Sequence, residues 1–265
     1  MVRIKKYDGT VVEFDMQRIK DTLERLNTDE KLKTRILDNL HKKIKEGMTT
    51  GQIYKIVFGM LKQKQRRVAS KYSLKKAITE LGPKGYNFED FICRILAERG
   101  YTTKVRQTLN GEVITHEMDV VAYKNGEHVA VECKFHQNEH TYSPIQTALY
   151  VYARFLDIME GYKKGKEKNQ INKIMIATNT RFSPDARLYS KSKNMELLSW
   201  DYPVDGGIRD IVDKKSLYPI TVLTKLSKHE KQMLLKKGII LVKDIKEKDV
   251  KPIVMKEIEE LLREA

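Results

Sequence analysis

The dipeptide Asn125-Gly126 constrains this chain more than any other pair of residues. Both tolerate positive φ, and β-forming runs flank them, so they read as the tight turn of a β-hairpin. The run before the turn is Glu117-Met-Asp119-Val-Val-Ala-Tyr-Lys124; the run after it is Glu127-His-Val-Ala-Val-Glu132-Cys-Lys134. A two-residue turn pairs Lys124 with Glu127, and counting back sets Asp119 opposite Glu132. Cross-strand partners share a face, and alternation puts Lys134 on the face of Glu132. Cys133 is expected on the other side, toward a core layer or a flanking helix, and Glu117 on Asp119's side of its strand. Two facing carboxylates are destabilising unless a cation lies between them. Hard carboxylate oxygens suit Mg2+ or Mn2+, and an adjacent lysine can orient or activate a water. A Glu-x-Lys alone is also what an exposed strand face with alternating charges looks like; the facing Asp119 is what points to chemistry.

Asp119, Glu132 and Lys134 in this arrangement resemble the active site of the PD-(D/E)xK nuclease superfamily, in particular its Mrr-like restriction endonucleases and archaeal Holliday-junction resolvases. Upstream, Gly85-Tyr-Asn-Phe-Glu89-Asp-Phe-Ile-Cys-Arg-Ile-Leu-Ala-Glu-Arg-Gly100 is similar to the family's opening helix, with Asn87 as the expected N-cap. The resemblance makes Glu89 an auxiliary carboxylate on the metal side. An acid in a first helical turn is also favoured by the helix dipole alone. Downstream, Ser143-Pro-Ile-Gln146-Thr-Ala-Leu-Tyr-Val-Tyr-Ala-Arg154 is similar to the helix after the Glu-x-Lys strand, with Gln146 at a polar position near the site. Ile174-Met-Ile-Ala-Thr-Asn179 and Leu197-Leu-Ser-Trp200-Asp-Tyr-Pro203 match further. The likeness covers residues 84–212; Met118 stands where the family often has proline. It implies an α/β/α mixed sheet and a Mg2+-dependent DNA endonuclease. Asp119, Glu132 and Glu89 would hold the metal, and Lys134 would position the attacking water. The products would be a 5′-phosphate and a 3′-hydroxyl.

The N-terminus carries a separate signal. Met1-Val-Arg-Ile-Lys5-Lys6-Tyr-Asp8-Gly9-Thr-Val-Val-Glu-Phe14-Asp15 reads as strand, Asp-Gly turn and strand, with Asp15 capping a helix that contains Arg18. Apolar residues at helical spacing mark further helices over 29–45, from Thr49-Thr50 onward, and over 66–81. This order resembles the ATP-cone, a regulatory nucleotide-binding module known from ribonucleotide reductases. Lys5, Lys6, Arg18, Lys75 and Lys76 occupy its basic positions and would neutralise the phosphates of ATP or dATP. No Walker A motif occurs, so nucleotide sensing rather than hydrolysis is expected. A small basic domain that grips nucleic acid or a partner is the plain alternative.

Charge is uneven along the chain. Residues 1–82 hold 20 Lys or Arg against 10 Asp or Glu, residues 83–212 hold 18 against 17, and residues 213–265 hold 13 against 9. The formal net charge of +15 suits a polyanion, and phosphate contacts would make binding salt-dependent. The near-neutral middle fits a site that concentrates carboxylates. At the C-terminus, Ser227-Lys-His-Glu230 is a capping box and Gly238 the residue after its helix. The pattern resembles a helix-hairpin-helix-like DNA grip, or equally a small helical support. Gly and Pro cluster at 81–85 and 205–207. Three parts follow: an α/β N-terminal unit at 1–82 of a small β-hairpin plus four helices, a nuclease unit at 84–212, and a small helical unit at 213–265. Cys93 and Cys133 are too few for a disulfide framework or, without His partners nearby, a zinc site. No signal peptide or transmembrane run is read, so a cytoplasmic protein is expected, with DNA and nucleotide as partners and a homodimer as its form. A catalytically silent, nucleotide-gated DNA-binding regulator and a structure-specific junction resolvase are the competing functions.

Overall fold

The computed structural model describes residues 2–82 and 85–263. Pro83 and Lys84, in the Gly- and Pro-rich stretch at 81–85, lie outside the described residues.

The N-terminal hairpin is β1 (Arg3–Lys5) and β2 (Val11–Glu13), antiparallel with Lys5 opposite Val11. Asp15 caps α1 (Met16–Arg25) by accepting the Gln17 N–H. α2 (Glu30–Lys43) follows an Asp29 cap, and α3 (Thr50–Lys64) follows a reciprocal capping box between Thr49 and Gln52. Leu23, Ile36, Leu40, Val57 and Leu61 form the floor of this unit's core, as their helical spacing requires. The helix expected over 66–81 is two: α4 (Arg66–Tyr72) and α5 (Leu74–Thr79). Ser73 is the break. Its hydroxyl donates to the Ser70 carbonyl, a local bond with which serine competes against continued helix.

α6 (Tyr86–Glu98) opens the central part of the chain with Gly85 at its cap. Asn87 is therefore not the N-cap; it lies one position inside the helix and its side chain donates to the Leu81 carbonyl. β3 (Thr102–Asn110), β4 (Thr115–Lys124) and β5 (Glu127–Lys134) form an antiparallel meander. Asn125 and Gly126 both have positive φ, as the two-residue turn demands. After β6 (Tyr142–Ser143), α7 (Ile145–Lys163) crosses back to β7 (Lys173–Thr178). β8 (Arg181–Phe182), α8 (Pro184–Ser192), β9 (Glu196–Leu198) and α9 (Ile208–Lys215) complete it. The central sheet runs β3-β4-β5-β7-β9, antiparallel on one side of β5 and parallel on the other. Val121, Ala130, Ile174 and Ile176 face Ala148, Val151, Phe155 and Ile158 of α7. α6 packs on β3, β4 and β5, and α9 packs on α6.

The C-terminal segment is α10 (Lys228–Lys236), two single 3-10 turns at Val242–Asp244 and Glu247–Asp249, and α11 (Pro252–Leu262). Ser227 and Glu230 form the expected capping box, and Gly238 has a φ of 76°. A second hairpin helix is absent among the described residues; 3-10 turns take its place.

The chain divides into two compact units. One is Met1–Leu74 with Val222–Leu226 and Val250–Ala265; the other is Lys75–Thr221 with Ser227–Asp249. The segment from 213, expected as one unit, is thus shared. Arg94 holds Asp244 at 2.7 Å within the second unit. Within the first, buried Glu257 accepts from Thr224 and the Lys225 N–H.

Candidate active site

Asp119 lies where two ladders each miss a rung. β3 and β4 pair down to Val105 opposite Val120 and resume at Gln107 opposite Met118, skipping Arg106 and Asp119. Arg106 has a φ of 49°, left-handed backbone that a non-glycine residue adopts at a cost of about 1–2 kcal/mol. On the other side, the β4–β5 ladder stops at Val120 opposite Val131, one step short of Asp119 and Glu132. β5 runs on against β7 as far as Lys134 opposite Thr178. The Asp119 carboxylate spans the opening, accepting the Cys133 N–H on Oδ2 at 2.6 Å. The register counted from the turn is the observed one, with its last pair replaced by a side-chain bond. The skipped rung also shifts the strand's faces. Met118 and Val121 both join the core beneath α7, and His116 meets Asp157 of α7 at 2.8 Å. Strict alternation would have put residues 118 and 121 on opposite faces.

Glu132 is buried and held twice: Lys134 Nζ donates to Oε1 at 2.6 Å, and Arg154 Nη1 donates to Oε2. The second guanidinium nitrogen of Arg154 donates to the Glu117 carbonyl. Glu89, in the first turn of α6, accepts from Arg106 at 3.0 Å, and Arg106 also reaches Asp90 at 2.9 Å. Burial pushes the Glu89 carboxyl up, against the pull of Arg106. Asp119 is pushed up to about 7, first by burial, then by the negative charge of Glu132, with the Cys133 N–H pulling the other way. The Cys133 thiol is driven well up by burial and then by Asp119, Glu89 and Glu132. Glu89, Asp119 and Glu132 thus share one field, and the two outer acids each carry an arginine.

The backbone that carries Lys134 is fixed from β7. Thr178 donates to the Lys134 carbonyl at 2.7 Å, and the Asn179 side chain clamps both the N–H and C=O of His136 at 2.8 Å. Gln146 opens α7 and is exposed; Tyr150 and Arg154 follow at four-residue spacing, on the same face of the helix. Arg106 and Arg154 are the site residues that sequence reasoning missed. The spacing from Gln146 could have flagged Arg154. Nothing in the sequence signals a left-handed arginine.

Among the described residues, no group of three or more His, Cys, Asp or Glu side chains is placed to hold a metal ion. Asp119 and Glu132 are two hard donors with Glu89 nearby. Mg2+ is usually held by one or two carboxylates, waters and substrate phosphates, so this donor set fits that kind of ion and not a zinc cage.

A second site lies in the N-terminal unit. Lys6, Arg18, Thr50, Tyr54 and Tyr72 line a cavity of about 380 Å³. Tyr54 stacks on Tyr72 at 5.2 Å, and burial pushes the Tyr72 hydroxyl up to about 12. Arg18 lies 3.3 Å from Asp15. Lys5 is exposed in β1 and does not line this cavity. Lys75 and Lys76 belong to the other unit. Lys75 is pulled down by burial, among Glu139, Arg181 and Asp201, and Lys76 lies 3.9 Å from Glu80. A third feature, within the second compact unit, is a groove of about 860 Å³ lined by Lys228, Lys231 and Lys236 of α10 with Asn87 and Gln137.

A mixed sheet with this carboxylate-lysine end defines a nuclease domain of the restriction-endonuclease type, here joined to an N-terminal ATP-cone. A restriction endonuclease family model matches residues 82–202 and an ATP cone domain model residues 2–81. An AF1548-like, C-terminal model matches residues 218–264. An uncharacterized protein from Archaeoglobus fulgidus is 36% identical over 154 residues, 58% of this chain and 83% of the relative. The crystal structure of AF1548, a protein of unknown function, is similar with a TM-score of 0.54 at 33% identity, over 66% of this chain and 94% of that one. The chain belongs to this AF1548-like family. Among the described residues, no helix is long and apolar enough to cross a membrane.

Proposed function

We propose that this protein is a divalent-metal-dependent DNA endonuclease, using Mg2+ or Mn2+, whose activity responds to ATP or dATP bound in the N-terminal cavity. The observation that carries the reading is Asp119. It is released from both neighbouring ladders, faces Glu132, and sits one strand away from Lys134. A strand whose acid served only the sheet would keep its rungs. Asp119 and Glu132 would hold the ion, with Glu89 assisting; the ion would supply charge stabilisation for the phosphoryl transition state. Lys134, fixed through Thr178, orients the attacking water. Gln146, Tyr150 and Arg154 lie along the substrate side of α7.

DNA is the substrate class because the carboxylate site itself is close to neutral and its neighbours are basic. Lys228, Lys231 and Lys236 line a groove that includes Gln137, three residues beyond Lys134, and Asn87, two before Glu89. The phosphate backbone beside the scissile bond would follow that wall. A homodimer would offer one such site to each strand. In the N-terminal cavity, the aromatic wall of Tyr54 and Tyr72 would lie beside a base while Lys6 and Arg18 meet phosphates.

The test is nicking of supercoiled plasmid in Mg2+ or Mn2+, with and without ATP and dATP, by the full chain and by Lys134→Ala. Metal-dependent nicking that the substitution abolishes supports the reading, and a change on adding nucleotide supports the regulation. No nicking of plain, methylated or branched DNA, or equal nicking by the variant, overturns it in favour of a silent DNA-binding regulator.

A further inference from the structure

The carboxylate site has a feature that hydrolysis does not need. Each outer acid is already neutralised by an arginine from a different element: Glu89 by Arg106 of β3, Glu132 by Arg154 of α7. Asp119, between them, makes no ion pair among the described residues and accepts a backbone N–H. The two arginines are alike in a second respect. Arg106 lies 5.8 Å from the centre of the Tyr86 ring, and Arg154 lies 5.4 Å from that of Tyr150. Both rings are more than half exposed, at 57% and 59%. Each guanidinium therefore has an acid on its inner side and an outward-facing aromatic surface beside it.

We propose that Arg106 and Arg154 form a charge latch: bonded to Glu89 and Glu132 as they are here, they compete with a divalent ion for those acids, and are released toward the phosphates of DNA when the ion takes them. Both are positioning residues, and the inference rests on the metal-dependent nuclease reading above. An arginine paired to a ligand carboxylate opposes a cation in two ways. It must give up its bonds, and its own charge repels the ion at short range. Once freed, a planar guanidinium beside a ring is well suited to a phosphodiester. Metal and DNA then bind cooperatively, because each favours the state in which the arginines face outward. The DNA-free protein would hold little metal.

The two arms should differ in strength. Arg154 and Glu132 are 11% and 9% exposed, whereas Arg106 is 35% exposed against 11% for Glu89. The more buried pair is less screened by solvent and competes harder with the ion.

The experiment measures Mn2+ binding to the DNA-free full chain at pH 8, by calorimetry and by loss of the free-ion electron spin resonance signal. Wild type, Arg154→Gln and Arg106→Gln are compared, with circular dichroism confirming the fold. The latch gives about tenfold tighter Mn2+ binding for Arg154→Gln and about threefold for Arg106→Gln, corresponding to losses of competition near one ion pair each. In the presence of Ca2+, both variants bind duplex DNA more weakly than wild type. Should Arg154→Gln fail to fold, Arg106→Gln and Arg154→Lys carry the test, the lysine variant keeping the charge but not the fork. Mn2+ affinity that is equal or weaker in every folded variant overturns the latch. Wild type that binds no Mn2+, with or without DNA, overturns instead the metal-dependent reading on which the latch stands.

Discussion

The carboxylate end of the central sheet and the N-terminal cavity are built on opposite plans. In the sheet, charges are buried and already committed: Glu132 to two cations, Glu89 to one, Asp119 to a backbone N–H. In the cavity, rings and apolar side chains make the wall, and the charged residues are at the rim, with Arg18 80% exposed on its side chain. A ligand entering the first site must exchange partners. A ligand entering the second displaces water and the exposed Arg18–Asp15 contact. Substitutions should therefore have large, coupled effects in the sheet and modest, separable ones in the cavity.

The largest expected effect tests that asymmetry directly. Asp119→Asn removes one of two facing donors and should lower the rate of metal-dependent plasmid nicking by about a thousandfold, the order found when a group acting on the transition state is lost. Arg18→Ala, assayed without nucleotide, should leave the rate within about twofold of wild type. If the two substitutions cost the same, the units are not separable and the contrast is gone.

Next in size is a difference inside the sheet site. Glu132→Ala strips a buried carboxylate from Arg154 and Lys134, leaving two cations without their acid. The expected loss of stability is about 3 kcal/mol by urea unfolding in EDTA. Asp119→Asn in the same buffer should cost nothing or add stability, because Asp119 is the acid without a cation. Equal losses would mean that Asp119 is paired as firmly as Glu132.

How far this site could be read from sequence follows from how it is made. The hairpin, its register and the face shared by Glu132 and Lys134 are local consequences of Asn125-Gly126, and the observed ladder agrees as far as Val120 opposite Val131. The N-terminal helix starts at Asp15, Asp29 and Thr49 are likewise local, each being a side chain that captures a nearby N–H. What was not legible depends on contacts across the fold. Arg154 reaches Glu132 over 22 residues, and Arg106 breaks the ladder through a backbone conformation that its residue type does not announce. Lys75 fits the spacing of a phosphate ligand and lies in the stretch that the ATP cone model matches, yet it follows the break at Ser73 and is grouped with the second compact unit. The capping box at Ser227 was legible, whereas the 3-10 turns beyond Gly238 were not, since nothing local selects them over a helix.

The cavity supplies a smaller prediction. Tyr72→Ala removes a half-buried ring of the cavity wall, stacked on Tyr54, and should weaken ATP or dATP binding by about tenfold in calorimetry, within the roughly 1–3 kcal/mol that an aromatic contact to a base is worth. Arg18→Ala should cost less, since a rim charge is screened. Lys75→Ala should leave binding unchanged. A loss for Lys75→Ala as great as that for Tyr72→Ala would move the nucleotide out of this cavity and sharpen the boundary between the units at Leu74.

The last test is the pH dependence of Asp119, which shares its sign with that of Glu89 and opposes that of Glu167. Its folded value, about 7, is raised above the ordinary 3.8, so the folded protein keeps a proton that the unfolded chain gives up. Stability from this group is complete below pH 4 and is lost as pH rises from about 4 to about 7. Glu167, buried in the loop after α7, is held below its ordinary value despite its burial, because it accepts several N–H groups from Asn110, Lys168 and Asn169. Its stability therefore runs the other way, present above about pH 4.5 and lost as pH falls. The two trends overlap in wild type, and Asp119→Asn separates them, because asparagine stands in for the protonated acid. In EDTA, the urea midpoint of Asp119→Asn minus that of wild type should grow between pH 4 and pH 7 and then level off. A difference that is flat across that range would mean that Asp119 is ionised throughout, paired with a cation it does not meet in this structure.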